Sequence, residues 1–206
     1  YFSYFFDSIE GTSNGVAIYC RKLPKAIMTG LGLGEADGEG RYIQADFENI
    51  SIACLLAPAA GLTDPGSLAR KSRFFEQLGS QLDKVRKKRR QYILCGNWNM
   101  VHLARDLRRT STDQDDTGLL GAEREWLGTL FGELGYVDTF REVNTDHDEF
   151  SWWPAGRDGA DASRVDYQVV SGGLRGTIEY ATLFRGQEFS SHAPLTADYD
   201  IEIARL

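Results

Sequence analysis

The chain has 206 residues, enough for one large domain with a substantial core. It is 42% hydrophobic and 26% charged, with a net charge of −7. That profile describes a soluble globular domain and argues against a strongly basic, non-specific nucleic-acid binder. No apolar run approaches membrane-spanning length and no secretory leader is visible. Cys20, Cys54 and Cys95 lie far apart and lack the paired spacing of a zinc site, so they read as buried free thiols of a reducing, cytoplasmic compartment.

In chain order, residues 1–6 are aromatic enough for a strand. Residues 11–15 carry turn chemistry, and 15–21 (GVAIYCR) form a strong strand that ends before Pro24. Residues 30–40 are rich in glycine and acid and read as a loop. Two apolar runs, 41–47 and 50–56, flank Glu48 and Asn49 as an antiparallel hairpin. Residues 67–90 are the clearest helix, with Leu68, Lys71, Phe75, Leu78, Leu82 and Val85 on one stripe. Its end, KVRKKRR, is either a nucleic-acid patch or cations favoured at a helix C-terminus, and the second reading is preferred.

The stretch QYILCGNWNMVH, residues 91–102, centres the chain. It reads as a buried strand over 91–95 and a polar loop over 96–99, with Gly96 allowing the sharp turn out of the core. Residues 101–118 show no apolar period. A second helix spans 121–135, burying Trp126, Leu127, Leu130, Phe131 and Leu134, with Gly135 as its cap. Residues 150–153 predict a short aromatic strand, 157–163 a loop, and 165–171, 177–182 and 195–203 further strands. Strands separated by two long helices imply a mixed-sheet α/β sandwich.

Three clusters carry the chemistry. Asn97 and Asn99 stand at a strand's C-terminal edge, where open α/β folds place their sites. Their amides can hold a phosphate oxygen or orient a water, or else simply bond their own backbone in a turn; they cannot act as general bases. Asp166 lies inside an apolar strand, where a carboxylate needs a partner. His192 is the candidate, because an Asp–His pair fixes the imidazole tautomer and supports hydrogen bonding to phosphate. The alternative is a structural pair pinning two strands. Trp152 and Trp153 offer a stacking platform, although adjacent strand residues face opposite ways and at least one belongs to the core. Arg157 and Arg164 are candidate phosphate contacts against a default of surface solvation.

Taken together, GVAIYCR, GRYIQADF, CGNWN, DTFREVN, EFSWWP, RVDYQ and SSHAPLTADYD resemble the exodeoxyribonuclease III branch of the endonuclease/exonuclease/phosphatase superfamily. The resemblance covers residues 15–199 and implies a four-layer α/β sandwich, here one domain over residues 1–206 that lacks its N-terminal part. It implies a divalent metal held by carboxylates at the sheet edges, and hydrolysis of DNA at abasic sites or 3′ ends with a His–Asp pair.

Residue by residue, the resemblance retains Asn99, Asp166 and His192. Asn97 stands where the family carries the aspartate that activates water, and Ser191 stands in place of the aspartate before the histidine. Leu56 stands where a tyrosine is expected, and the segment supplying the first Asn and a metal-binding Glu precedes Tyr1. Within the branch, PKAIMTGLG, RKKRRQYILCG, GYVDTFREV, FSWWP and HAPLTADYD are similar to the catabolite repression control proteins. That likeness implies a regulator without catalysis or metal, acting with an Sm-like RNA chaperone on A-rich mRNA to repress translation. The alternative is an Mg-dependent exodeoxyribonuclease III-type AP endonuclease and 3′ exonuclease acting on abasic-site DNA, as a partial or inactivated copy.

Overall fold

A computed structural model describes residues 1–9, 11–32, 34–61, 63–88, 90–109, 121–156 and 160–203. Strands β1 (Phe2–Asp7) and β2 (Gly15–Cys20) pair as an antiparallel hairpin. Strand β3 (Ala26–Thr29), missed by sequence reasoning, leads to β4 (Tyr42–Asp46) and β5 (Ile50–Leu56), the hairpin that the two apolar runs predict. The 30–40 loop contains a 3-10 turn over Gly34–Glu39.

Helix α1 (Pro65–Arg86) is shifted from the expected 67–90. It starts early because the Asp64 side chain accepts hydrogen bonds from the Gly66 and Ser67 amides and Pro65 fits the first turn. It stops before the basic run ends. Lys84 and Arg86 complement the C-terminal dipole, while Arg90 turns back to the Phe47, Glu48 and Ile50 carbonyls and Ser51. Part of KVRKKRR therefore clamps the β4–β5 turn.

Strand β6 (Gln91–Asn97) runs parallel to β5, with α1 as the crossover. After it come β7 (Leu107–Arg108), α2 (Gly121–Gly132), β8 (Val137–Asp138), α3 (Thr139–Val143), β9 (Ala162–Ser163), β10 (Asp166–Val170), β11 (Ile178–Leu183) and β12 (Leu195–Tyr199). The expected 150–153 strand is absent as such; Trp152 makes only single bridges, to Ser163 and His192.

The central sheet has six strands in the order β3-β4-β5-β6-β10-β8, and only β5–β6 is parallel. One face carries α1 and α2 over a core of Phe74, Phe75, Leu78, Leu82, Trp98, Leu127, Leu130 and Tyr167. On the other, Ile50, Ile93, Val137 and Val170 pack against Ile18 of β2 and against Ile178 and Tyr199 of β11 and β12. The architecture is thus α/β with mixed pairing. The described second layer is two separate hairpins, β1–β2 and β11–β12.

A buried charge network joins the elements around β10. The Arg164 guanidinium is fully enclosed and bonds Asp106 at 2.9 Å and Asp138 at 2.6 Å, while Arg141 bonds Asp106 at 2.5 Å. Arg164 also lies 4.4 Å from the centre of the Tyr167 ring. Burial alone would raise the Asp106 carboxyl; Arg164 and Arg141 outweigh it and hold that group below the usual carboxylate range.

Candidate active site at the edge of the central sheet

Three neighbouring strands end in one row. Asn97 of β6 faces Leu56 of β5 on one side and Asp166 of β10 on the other. Gly96 makes the row possible. It lies inside β6 and not in a turn after it, with φ 142°, and a Cβ there would meet the Leu55 carbonyl oxygen at 1.9 Å. Only glycine allows β5 and β6 to approach this closely.

Beyond Asn97 the loop is anchored from below. Trp98 is fully buried, with ring centroids 6.4 Å from Phe75, 6.2 Å from Trp126 and 6.0 Å from Tyr167. This holds Asn99 in the left-handed region, φ 50°, a conformation asparagine tolerates better than most residues. Asn97 Oδ1 accepts the Asn99 amide at 2.8 Å, and Asn99 Nδ2 donates to the Ala57 carbonyl at 2.8 Å. Asn97 thus makes the local backbone bond that turn chemistry predicts, whereas the Asn99 side chain ties the loop to the segment after β5, 42 positions away.

Lys71, on the apolar stripe of α1, reaches the same loop. Its ammonium donates to the Asn99 carbonyl at 2.7 Å and pairs with Glu123 of α2 at 2.5 Å. Burial pulls the lysine below its ordinary range, with Glu123 opposing in part. Sequence reasoning placed Lys71 on the helix's inner stripe without giving it a role. A cation there always needs a partner, and that was the available signal.

His192 comes from the β11–β12 connection. Its Nδ1 lies 2.8 Å from Asp166 Oδ2, so the two residues predicted as a pair are brought together. The Ser190 hydroxyl accepts the His192 amide at 3.0 Å, and the Trp153 amide donates to the Ser191 carbonyl at 3.2 Å. Donation from Nδ1 to the carboxylate leaves Nε2 as the ring's second polar atom. Ser191 itself is solvent-exposed beside the pair.

The aromatic and basic candidates divide. Trp152 is half-buried with its ring centroid 6.2 Å from that of His192, so it belongs to the site's margin. Trp153 is buried with Phe150, Ala162 and Ala193, which corrects its assignment as a nucleic-acid contact. Arg164 is corrected in the same way, because its guanidinium is enclosed and doubly ion-paired. Arg157 lies outside the described residues.

A divalent cation is a poor match for these side chains. Such ions take oxygen ligands, with carboxylates supplying the charge. Here the row offers Asp166, committed to His192, beside a neutral Asn97, and the loop that carries His192 adds only a neutral Ser191. Among the described residues no group of three or more His, Cys, Asp or Glu comes together to hold a metal.

The chain is 31% identical over 201 residues to an exodeoxyribonuclease of Bacillus subtilis, covering 95% of this chain and 78% of that protein. It is 27% identical to a DNA-(apurinic or apyrimidinic site) endonuclease of Dictyostelium discoideum, covering 96% of this chain but 56% of that protein. Among solved structures it superposes on a Neisseria 3′ phosphatase bound to a product DNA hairpin, with a TM-score of 0.84. That match has 24% identity and covers 97% of this chain and 80% of the other. The profile of the Endonuclease/Exonuclease/phosphatase family matches residues 1–182, and the chain belongs to that family.

Proposed function

We propose that this protein engages a DNA strand at the Asn97–Asp166–His192 edge, at an abasic site or a 3′ end, as an inactivated copy of an exodeoxyribonuclease III-type enzyme. The observation that carries the reading is the 2.8 Å Asp166–His192 pair standing in register beside Asn97. The carboxylate holds the imidazole in place through Nδ1, and when the ring carries both protons Nε2 is the atom that donates to a phosphate oxygen. The relatives named for exodeoxyribonuclease and apurinic-site endonuclease activity support DNA as the ligand. Neutral side chains at positions 97 and 191 support the loss of turnover, because the positions that would carry general base and metal ligand offer neither.

The test pairs binding with cleavage. A labelled abasic-site duplex is titrated with the protein in chelator, and the same duplex is incubated with protein and Mg²⁺. Binding at micromolar concentration, lost in His192→Ala, with cleavage no faster than the protein-free control is the expected result. Rapid Mg²⁺-dependent cleavage overturns the inactivation, and absence of binding overturns DNA as the ligand.

A second reading is a non-catalytic regulator that works with an Sm-like RNA chaperone on A-rich mRNA. It is favoured by Leu56, Asn97 and Ser191 being uncharged together, and by a net charge of −7 that suits a protein needing a partner to hold nucleic acid. Co-migration of this chain, the chaperone and an A-rich RNA supports it; no ternary complex at micromolar concentrations removes it.

A further inference from the structure

The β11–β12 connection carries two large side chains that the fold leaves in solvent. Phe184 is 44% exposed and Phe189 is 65% exposed. Their ring centroids are 6.1 Å apart and the planes differ by 24°. Apolar rings left in water are unfavourable, and contiguous exposed apolar surface rimmed by polar groups marks a candidate binding surface.

The connection presents this pair without collapsing over it. The Phe184 amide donates to the Pro194 carbonyl at 2.8 Å, closing the base of the loop. Arg185 reaches the Asp148 carbonyl at 3.0 Å and the Glu149 carboxylate at 2.8 Å, tying the loop sideways to another segment. The Phe184 ring folds over Gly186, where an added Cβ would stand 2.9 Å from its Cζ.

Phe189, the ring that Phe184 packs against, borders the polar edge. Phe189, Ser190, His192, Asp166 and Gln168 line one open depression of about 310 Å³. A ligand in that depression meets an aromatic face on one wall and the imidazole–carboxylate pair on another. A nucleotide has that division: a flat base with two π-faces, joined to an anionic phosphate.

We infer that Phe184 and Phe189 form a stacking platform for a nucleobase of the strand whose phosphate meets His192; the inference rests on the strand-binding reading given above. Stacking on phenylalanine does not discriminate among bases, so the platform confers affinity for base-bearing nucleotides next to the site, independent of sequence.

The experiment uses the full chain and two labelled single strands of equal length and charge. One carries normal bases throughout, and the other has tetrahydrofuran in place of the three 3′-terminal nucleosides. Fluorescence anisotropy in chelator reads both affinities. The parent should prefer the base-bearing strand by about tenfold. Phe189→Ala and Phe184→Ala should each reduce or abolish that preference and leave affinity for the tetrahydrofuran strand unchanged. Both sites are solvent-facing, and an unchanged melting temperature confirms that the variants fold. Phe189→Trp should keep the preference and show indole quenching by the base-bearing strand alone. Equal binding of both strands by the parent, or an undiminished preference in Phe189→Ala, overturns the platform and leaves strand binding at His192 standing. Failure to bind either strand overturns the platform, and failure to bind the abasic-site duplex as well overturns the strand-binding reading.

Discussion

Asp166 stands directly opposite Asn97 in the β6–β10 ladder, and its carboxylate bonds His192 Nδ1 at 2.8 Å. The row Leu56–Asn97–Asp166 therefore contains one charge where a cation-binding edge needs several.

Restoring charge to this edge should change its response to Mg²⁺. In Asn97→Asp combined with Ser191→Asp, a new carboxylate faces Asp166 across the ladder, and like charges directly opposite are destabilising by roughly 0.2–1 kcal/mol. For a domain of this size the melting temperature should fall by up to about 4 °C in chelator. Millimolar Mg²⁺ should recover it, while the parent is unmoved by the ion. A double variant indifferent to Mg²⁺ would show that adding charge at these two positions does not create a cation site.

Arg164 was a candidate for phosphate contact and is instead a structural ion. Arg164→Met leaves Asp138 without its guanidinium and Asp106 with Arg141 alone. Breaking a buried pair by removing one partner typically costs about 3–5 kcal/mol. Urea unfolding should show a loss of that order, and strand affinity measured below the unfolding transition should stay within about twofold of the parent. Weakened strand binding with unchanged stability would restore Arg164 to the ligand.

The same network sets an acid limb. The Asp106 carboxyl is held below its unfolded value of about 3.9, so the folded state binds that proton more weakly than the unfolded chain does. Its stabilisation is complete above that value and is lost as pH falls through the lower folded value. Stability should therefore drop below about pH 4, and Asp106→Asn should be less stable at neutral pH with a shallower acid limb. Urea midpoints measured from pH 2.5 to 7 check this; parallel acid limbs in parent and variant would refute it.

What the sequence discloses depends on how local the cause is. The β4–β5 hairpin follows from two apolar runs around Glu48 and Asn49, and α1 from a stripe of buried residues at helical spacing. The proximity of Asp166 and His192 was reachable because a carboxylate in an apolar strand demands a partner. Arg164 was misread because its partners Asp106 and Asp138 lie 58 and 26 positions away, with nothing local to announce them. The two-residue strands β7, β8 and β9 are likewise products of tertiary pairing, and FSWWP has strand composition but makes only bridges because Phe150 and Trp153 fill a separate small core.

Lys71 couples the helical layer to the site loop, and this separates stability from positioning. Lys71→Met should be destabilising by about 3–5 kcal/mol, because Glu123 is then buried without its cation. Adding Glu123→Leu should recover most of that loss, since replacing a whole buried pair with apolar side chains is often neutral or stabilising. The recovered double variant still lacks the donor to the Asn99 carbonyl, one of the contacts that hold the left-handed turn at φ 50°. It should therefore regain its urea midpoint yet bind the labelled strand several-fold more weakly than the parent, with amide chemical shifts altered across 97–99. A double variant that recovers both stability and affinity would make the lysine a packing element only, and the Asn99 turn would then be held by Trp98, the Asn97 side-chain amide and the Asn99–Ala57 hydrogen bond.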